Sequence, residues 1–331
     1  MTMANSRITV LMSVFNGIDF LCEAIESVLA QTLGDFEFLI IDDGSTEPVV
    51  EVIDGYNDPR IRFIRQENMG LTRSLNRGLS IASGEFVARM DADDVCLPDR
   101  LAVQLAAFKD NDELDLVGSF FEVVDAHGNL LERKEPFTDA VYRLWRLQFH
   151  NNYGHGSVMM RKRAAVAAGM YDERLRYAQD YDLWSRLSTK SNTDMIPRIL
   201  YQYRLLESGA QTSVRNYDAQ LDAAIEISNR NLKACNPSLT DQECAEVRAV
   251  YWEFQFDGAS EDGIFLLPET CDRFCERYGL SGSERDRLVR RVVDDVHEQM
   301  ATSRRVRCSD RLKLFTFLDS WLLRRKPDGR G

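Results

Sequence analysis

The sequence predicts an α/β fold in which a mostly parallel sheet is flanked by helices and followed by a helical C-terminal region. Three observations lead there. Short apolar runs of strand length alternate with segments whose apolar residues recur at helical spacing, three of the runs stop abruptly on polar and flexible residues, and the strand-like runs cease near residue 214. Alternation of this kind implies parallel strands covered on both faces, with ligands bound beyond their carboxyl ends.

Residues 8–12 form the first apolar run, followed by Ser13, Val14, Phe15, Asn16 and Gly17. A helix then places Phe20, Leu21, Ala24, Ile25, Val28 and Leu29 on one side. The second strand, 36–41, stops at Asp42, Asp43, Gly44, Ser45 and Thr46, and a helix follows. The third strand, 61–65, leads to Glu67, Asn68, Met69 and Gly70, which open a helix through Leu71, Leu75 and Leu79. The fourth, 86–90, ends on Asp91, Asp93 and Asp94, with no basic residue among the three. The loops at 13–16, 42–46 and 91–94 are therefore expected to share one rim.

Runs 114–124 and 130–133 flank a turn-rich break at 125–129, the pattern of two antiparallel strands with His127 as a turn residue. His155, Gly156 and Ser157 read as a loop entering a strand, and 195–203 reads as the last strand. Beyond it, Leu221, Ile225 and Leu232 mark one helix, and Val289, Val292, Val293, Val296 and Met300 another. The expected organisation is an α/β domain over 1–213, in two halves at about 1–110 and about 111–213. A helical region over 214–331 completes it.

At 331 residues with 44% hydrophobic content, the chain can bury a sizeable core. A formal net charge of -12 argues against a general nucleic-acid binder. The seven cysteines include no Cys-x-x-Cys pair; Cys271, Phe274, Cys275 and Tyr278 fall at helix-core spacing, and a reducing compartment fits. There is no signal-peptide pattern, and no apolar segment reaches the roughly 18 residues of a spanning helix. A cytoplasmic protein is the expectation.

Asp91 and Asp93, at Asp-x-Asp spacing, can aim carboxylates the same way, which suits Mg2+ or Mn2+ with the remaining positions filled by water and substrate phosphate. The competing reading is acidic residues that end a strand and cap a helix. Neither a Gly-x-x-x-x-Gly-Lys nor a Gly-x-Gly-x-x-Gly loop is present, so ATPase and dinucleotide readings lose their usual phosphate grip.

With Ser13-Val14-Phe15-Asn16, Asp42-Asp43-Gly44-Ser45, Asp91-Ala92-Asp93-Asp94 and Gln179-Asp180-Tyr181-Asp182-Leu183-Trp184 in order, residues 8–204 resemble the inverting family 2 glycosyltransferases of the Rossmann-like GT-A fold. The resemblance implies a nucleotide-diphosphate sugar donor and a saccharide or lipid-linked saccharide acceptor of the bacterial surface-polysaccharide type, and makes 1–213 the catalytic domain, with a nucleotide-sugar half at about 1–110 and an acceptor half at about 111–213. It implies Phe15 packed on the base, with Ser13, Asn16, Asn68, Gly70 and Ala92 around the donor. Asp43 would accept from base or ribose, and Asp91 and Asp93 would form the metal motif, with Asp93 preferred as direct ligand.

The resemblance also assigns Asp180 as general base, although Asp180 suits an N-cap as well. Gln179 stands where the family carries Glu, Gly156 where a Pro commonly follows the His, and Leu206 where a His commonly follows Arg204. Arg204 is expected to take over phosphate contact. His155 and Trp184 are assigned to the acceptor side, and Asp182 is expected to face solvent or position a neighbour. The segment 311–326 combines Leu312, Phe315, Leu318 and Leu322 with basic flanks. It reads either as a helix docked on the protein's own core or as a peripheral contact with the anionic inner face of the cell membrane. Two other functions compete: a non-catalytic nucleotide-sugar-binding module and a sugar nucleotidyltransferase.

Overall fold

A computed structural model describes residues 7–206, 216–251, 261–302 and 321. In chain order its strands are β1 (Ile8–Val14), β2 (Glu37–Asp42), β3 (Ile61–Arg65), β4 (Phe86–Met90), β5 (Val95–Cys96), β6 (Leu114–Val124), β7 (Leu130–Lys134), β8 (Met159–Arg161) and β9 (Asn192–Arg204). The helices are α1 (Ile18–Leu29), α2 (Val49–Asp54), α3 (Leu71–Ile81), α4 (Arg100–Asp110), α5 (Ala140–Arg146), α6 (Lys162–Ala167) and α7 (Gln179–Ser188). Then come α8 (Tyr217–Cys235), α9 (Asp241–Tyr251), α10 (Glu261–Arg277) and α11 (Gly282–Thr302).

The strands form one sheet in the order β3-β2-β1-β4-β8-β6-β9-β5, with β7 on β6. Pairing is parallel from β3 to β4, as the strand–helix alternation predicts. β8 then runs antiparallel to both β4 and β6, while β9 is parallel to β6. The parallel prediction thus describes the N-terminal half of the sheet, and the rest adds antiparallel strands. β1 also runs further than its apolar run, because Ser13 pairs with Ile41 and Val14 with Asp42 in the parallel register. Ser13 therefore ends a strand instead of starting a loop.

Leu21, Ala24, Ile25 and Val28 of α1 are fully buried in one cluster with Ile8, Val10 and Met12 of β1. At ~1.5–3 kcal/mol per fully buried large aliphatic, these side chains are a main reason α1 holds its place. α3 comes unusually close to β1: a Cβ on Gly78 would lie 2.2 Å from a Leu11 methyl. Such proximity needs glycine there.

The described residues divide into two compact units, one of 7–140 with 151–206 and 216–224, and another of 141–150 with 225–251, 261–302 and 321. The first holds the sheet. In the second, Trp145, Phe149, Tyr251 and Phe274 form an edge-packed aromatic cluster. Cys271 and Cys275 are fully buried on α10, as their spacing predicts. Residues 207–215 and the basic-flanked segment 311–326, apart from Trp321, lie outside the described residues. Among the described residues, no helix is long and apolar enough to cross a membrane.

Candidate active site

Three strand ends of the parallel half carry the predicted loops, and hydrogen bonds tie the first two of these together. After β1, Asn16 takes a left-handed backbone (φ 58), a conformation Asn tolerates better than most residues. Its Oδ1 accepts from the Thr46 and Glu47 amides at 2.9 and 3.2 Å, and its own N–H donates to Ser45 Oγ at 2.8 Å. Phe15, next to it, leaves 54% of its surface exposed. A large apolar ring held on the rim by a locked backbone is available for stacking.

Asp43 is buried, with Oδ1 accepting from Gln66 Nε2 at 2.7 Å and the Met69 amide at 2.9 Å, and Oδ2 from the Gly70 amide at 2.8 Å. Its carboxylate thereby holds the 66–70 loop and the start of α3 in addition to the donor role expected of it. Gly44 (φ 79) lets that loop approach, since a Cβ would lie 2.7 Å from the Asn68 nitrogen. Asn68 and Gly70 are exposed on this loop.

At the end of β4, Asp91, Ala92 and Asp93 are partly buried and Asp94 is fully so. The Mg2+ or Mn2+ expected here brings positive charge from outside the chain. One cation is already in the chain: Arg89, 2% exposed, forms an ion pair with Asp91. The residue was visible in the sequence, but alternation along a strand puts 89 and 91 on one side only if the strand runs straight into the loop.

Asp94 is not aimed at a ligand. Tyr201 Oη donates to its Oδ2 at 2.6 Å and the Arg204 amide to its Oδ1 at 2.8 Å. Burial and the neighbouring Asp93 charge push its carboxyl up from the usual range.

Arg204 also departs from expectation. Its guanidinium is buried and donates to the Asp93 and Ala126 carbonyls at 2.9 and 3.2 Å and to Glu23 Oε2 at 2.6 Å. It braces the acidic loop from behind and does not reach outward for phosphate.

Fit to a divalent cation rests on the donor set. Asp91 and Asp93 offer hard oxygens of the type Mg2+ and Mn2+ prefer. Among the described residues, no group of three or more His, Cys, Asp or Glu is arranged around a common point. Two carboxylates, one of them shared with Arg89, fit an ion whose other ligands arrive with a diphosphate.

Further along the sheet-bearing unit, Ala178 (φ 55) turns the chain into α7, whose first turn holds Asp180. Asn151 Nδ2 donates to Asp180 Oδ2 at 2.7 Å. Burial pushes the Asp180 carboxyl up, while the Tyr181 amide, the Arg89 charge and Asn151 pull it back. His155 Nε2 lies 3.0 Å from Tyr171 Oη, and burial, then the Arg89 charge, lower its pKa well below the ordinary value.

Trp184 is fully buried, its ring edge-packed on His155, Tyr171 and Tyr153. Its ring is in the core and offers no face to a ligand. Asp182 is buried as well. It pairs with Arg186 at 2.6 Å, which also donates to the Met170 carbonyl, so of its two expected settings the positioning one holds. Asn151, Tyr171 and Tyr201 were missed by sequence reading, because none belongs to a motif and only folding brings them to the rim.

The sequence profile described as Glycosyl transferase family 2 matches residues 9–165. An uncharacterized glycosyltransferase of Methanocaldococcus jannaschii is 34% identical over 204 residues, 60% of this chain and 70% of that protein. The amylovoran biosynthesis glycosyltransferase AmsE of Erwinia amylovora is 30% identical over 203 residues, 59% of this chain and 75% of that protein. Chondroitin synthase of Escherichia coli is 27% identical over 68% of this chain, and the match spans only 32% of that protein. Among solved structures, S. aureus TarS 1-349 in complex with UDP-GlcNAc superposes with a TM-score of 0.56 at 17% identity, over 95% of this chain and 91% of that one. At that identity the likeness speaks for the fold, which is GT-A.

Proposed function

This chain belongs to glycosyl transferase family 2, and from that premise we propose an inverting, metal-assisted transfer of a sugar from a nucleotide-diphosphate donor to a saccharide acceptor. The observation that carries the reading is the pairing of two kinds of carboxylate on the sheet-bearing unit. Asp91 and Asp93 end a strand with oxygens suited to a cation, while Asp180 is a separate, amide-anchored carboxylate with a raised pKa. A raised pKa brings a carboxylate nearer to the operating pH, where a general base works best.

In this mechanism the exposed Phe15 ring stacks on the base. Asp43 keeps the 66–70 loop fixed, and through it the floor of the nucleoside site. Asp91 and Asp93 face the donor diphosphate, where bound Mg2+ or Mn2+ supplies positive charge against the charge developing on the leaving group. Asp180 takes the proton from the acceptor hydroxyl as that oxygen attacks the anomeric carbon opposite the diphosphate, and configuration inverts.

The relatives named for amylovoran and chondroitin synthesis support a growing polysaccharide as acceptor. The UDP-GlcNAc complex of TarS makes UDP-sugars the first donors to try. The lipid-linked form of the acceptor and membrane contact through 311–326 remain parts of the proposal. The test is release of nucleoside diphosphate from a panel of donors with and without Mn2+, with the anomeric configuration of any product read by NMR. Donor-specific, metal-stimulated release and an inverted product support the reading. Binding without turnover of any donor, across acceptor oligosaccharides, would leave a nucleotide-sugar-binding module.

A further inference from the structure

Positions 156 and 201 are sterically linked. Gly156 is buried, and a Cβ built on it would lie 2.0 Å from the Tyr201 hydroxyl oxygen and 2.3 Å from its Cζ. Any side chain at 156, the proline of related sequences included, excludes Tyr201 from where it stands. The departure at 156 therefore makes room for a phenol.

The phenol reaches the acidic loop. Tyr201 Oη donates to Asp94 Oδ2 at 2.6 Å and accepts from the Asp91 amide at 3.3 Å. One hydroxyl thus ties both ends of the segment containing Ala92 and Asp93. The other Asp94 oxygen is taken by the Arg204 amide, so Asp94 is a fixed post and not a ligand. Tyr201 is itself held: it is 1% exposed, with the Arg100 guanidinium 5.0 Å from its ring centroid. Arg100 in turn donates to the Arg89 and Val158 carbonyls at 2.8 and 3.0 Å. A hydroxyl fixed this rigidly can set the direction of the loop it binds.

We propose that Tyr201 is a positioning residue for the diphosphate-binding loop, admitted by Gly156, which fixes the aim of Asp91 and Asp93 without touching the donor. This role rests on the metal-assisted reading given above. It differs from simple core packing because it resides in the hydroxyl and not in the ring.

The experiment is calorimetric titration of UDP into wild type, Tyr201→Phe, Gly156→Ala and the double variant, with and without Mn2+, beside thermal melts. Tyr201→Phe keeps the ring and should stay folded. Its affinity for UDP in Mn2+ should fall about tenfold, the usual scale for losing a hydrogen bond to a charged group, while metal-free affinity stays at the wild-type value. Gly156→Ala should show the same metal-specific loss. The double variant should be no worse than Gly156→Ala, since both act through one hydroxyl. Unchanged affinity in Mn2+, equal losses with and without metal, or additive losses in the double variant would each overturn the role. If wild type gains nothing from Mn2+, the metal-assisted reading fails first and this role falls with it.

Discussion

Asn151 Nδ2 donates to Asp180 Oδ2 at 2.7 Å, so the candidate base is steadied by a neutral amide. The bond favours the ionised carboxylate and opposes the burial that raises its pKa. A general base works only when ionised, so kcat/KM should climb as pH rises through this pKa, and the climb should lie above the ordinary carboxylate range. In Asn151→Ala the pKa goes up again, and the acid limb of the profile should move to higher pH with a smaller change on its plateau. A pH–rate profile checks this; an unmoved limb would remove Asn151 from the mechanism.

Asp180→Asn keeps the shape of the side chain and removes the base. Transfer should fall by about 10²–10⁴-fold, the usual contribution of a positioned base, while donor affinity holds. Turnover within tenfold of wild type would assign the proton to another group.

Asp91 and Asp93 should separate cleanly. Asp93 is partly buried and its charge raises the pKa of Asp94. Asp93→Asn should therefore lower metal-dependent UDP affinity while leaving the melting temperature level or slightly higher. Asp91→Asn leaves the buried Arg89 charge unpaired and should lower the melting temperature as well. Equal melting temperatures in the two variants would contradict the ion pair.

Phe15 is 54% exposed, so Phe15→Ala should scarcely change stability. Stacking of a base on an aromatic ring is worth about 1–3 kcal/mol, so UDP affinity should fall roughly 5- to 150-fold, with or without metal. Titration calorimetry measures it directly, and a metal-dependent loss would place the ring elsewhere.

The parts of this molecule legible in the sequence are those fixed by local pattern. β3, β4 and β6 fall on their apolar runs, and Leu21, Ala24, Ile25 and Val28 turn inward at the spacing that predicts α1. The acidic loop and the start of α7 were legible as motifs. Orientation was not. Arg204 looked like a phosphate ligand, but a 13-residue β9 places its guanidinium behind the loop. Trp184 is assigned to the acceptor side by the resemblance, and on α7 its ring is fully buried. Spacing sets which residues share an element; which of them faces the ligand depends on packing between elements far apart in sequence. Tyr201 and Asp94, 107 residues apart, are such a case.

Arg89 joins the two halves of the chemistry. It pairs with Asp91, and its charge lowers the pKa of both His155 and Asp180. Arg89→Met should cost about 2–3 kcal/mol, below the range for a fully buried pair because Asp91 keeps some water contact. It should also move the acid limb of kcat/KM to higher pH, since losing a nearby positive charge raises the pKa of a carboxylate. Arg89→Lys keeps the charge and loses the planar fork, so its limb should stay near the wild-type position while part of the stability is lost. Thermal melts and pH–rate profiles of the two variants separate the roles. If Arg89→Met is destabilised but titrates like wild type, the guanidinium only holds the loop; a limb that moves in Met and not in Lys assigns the effect to its charge.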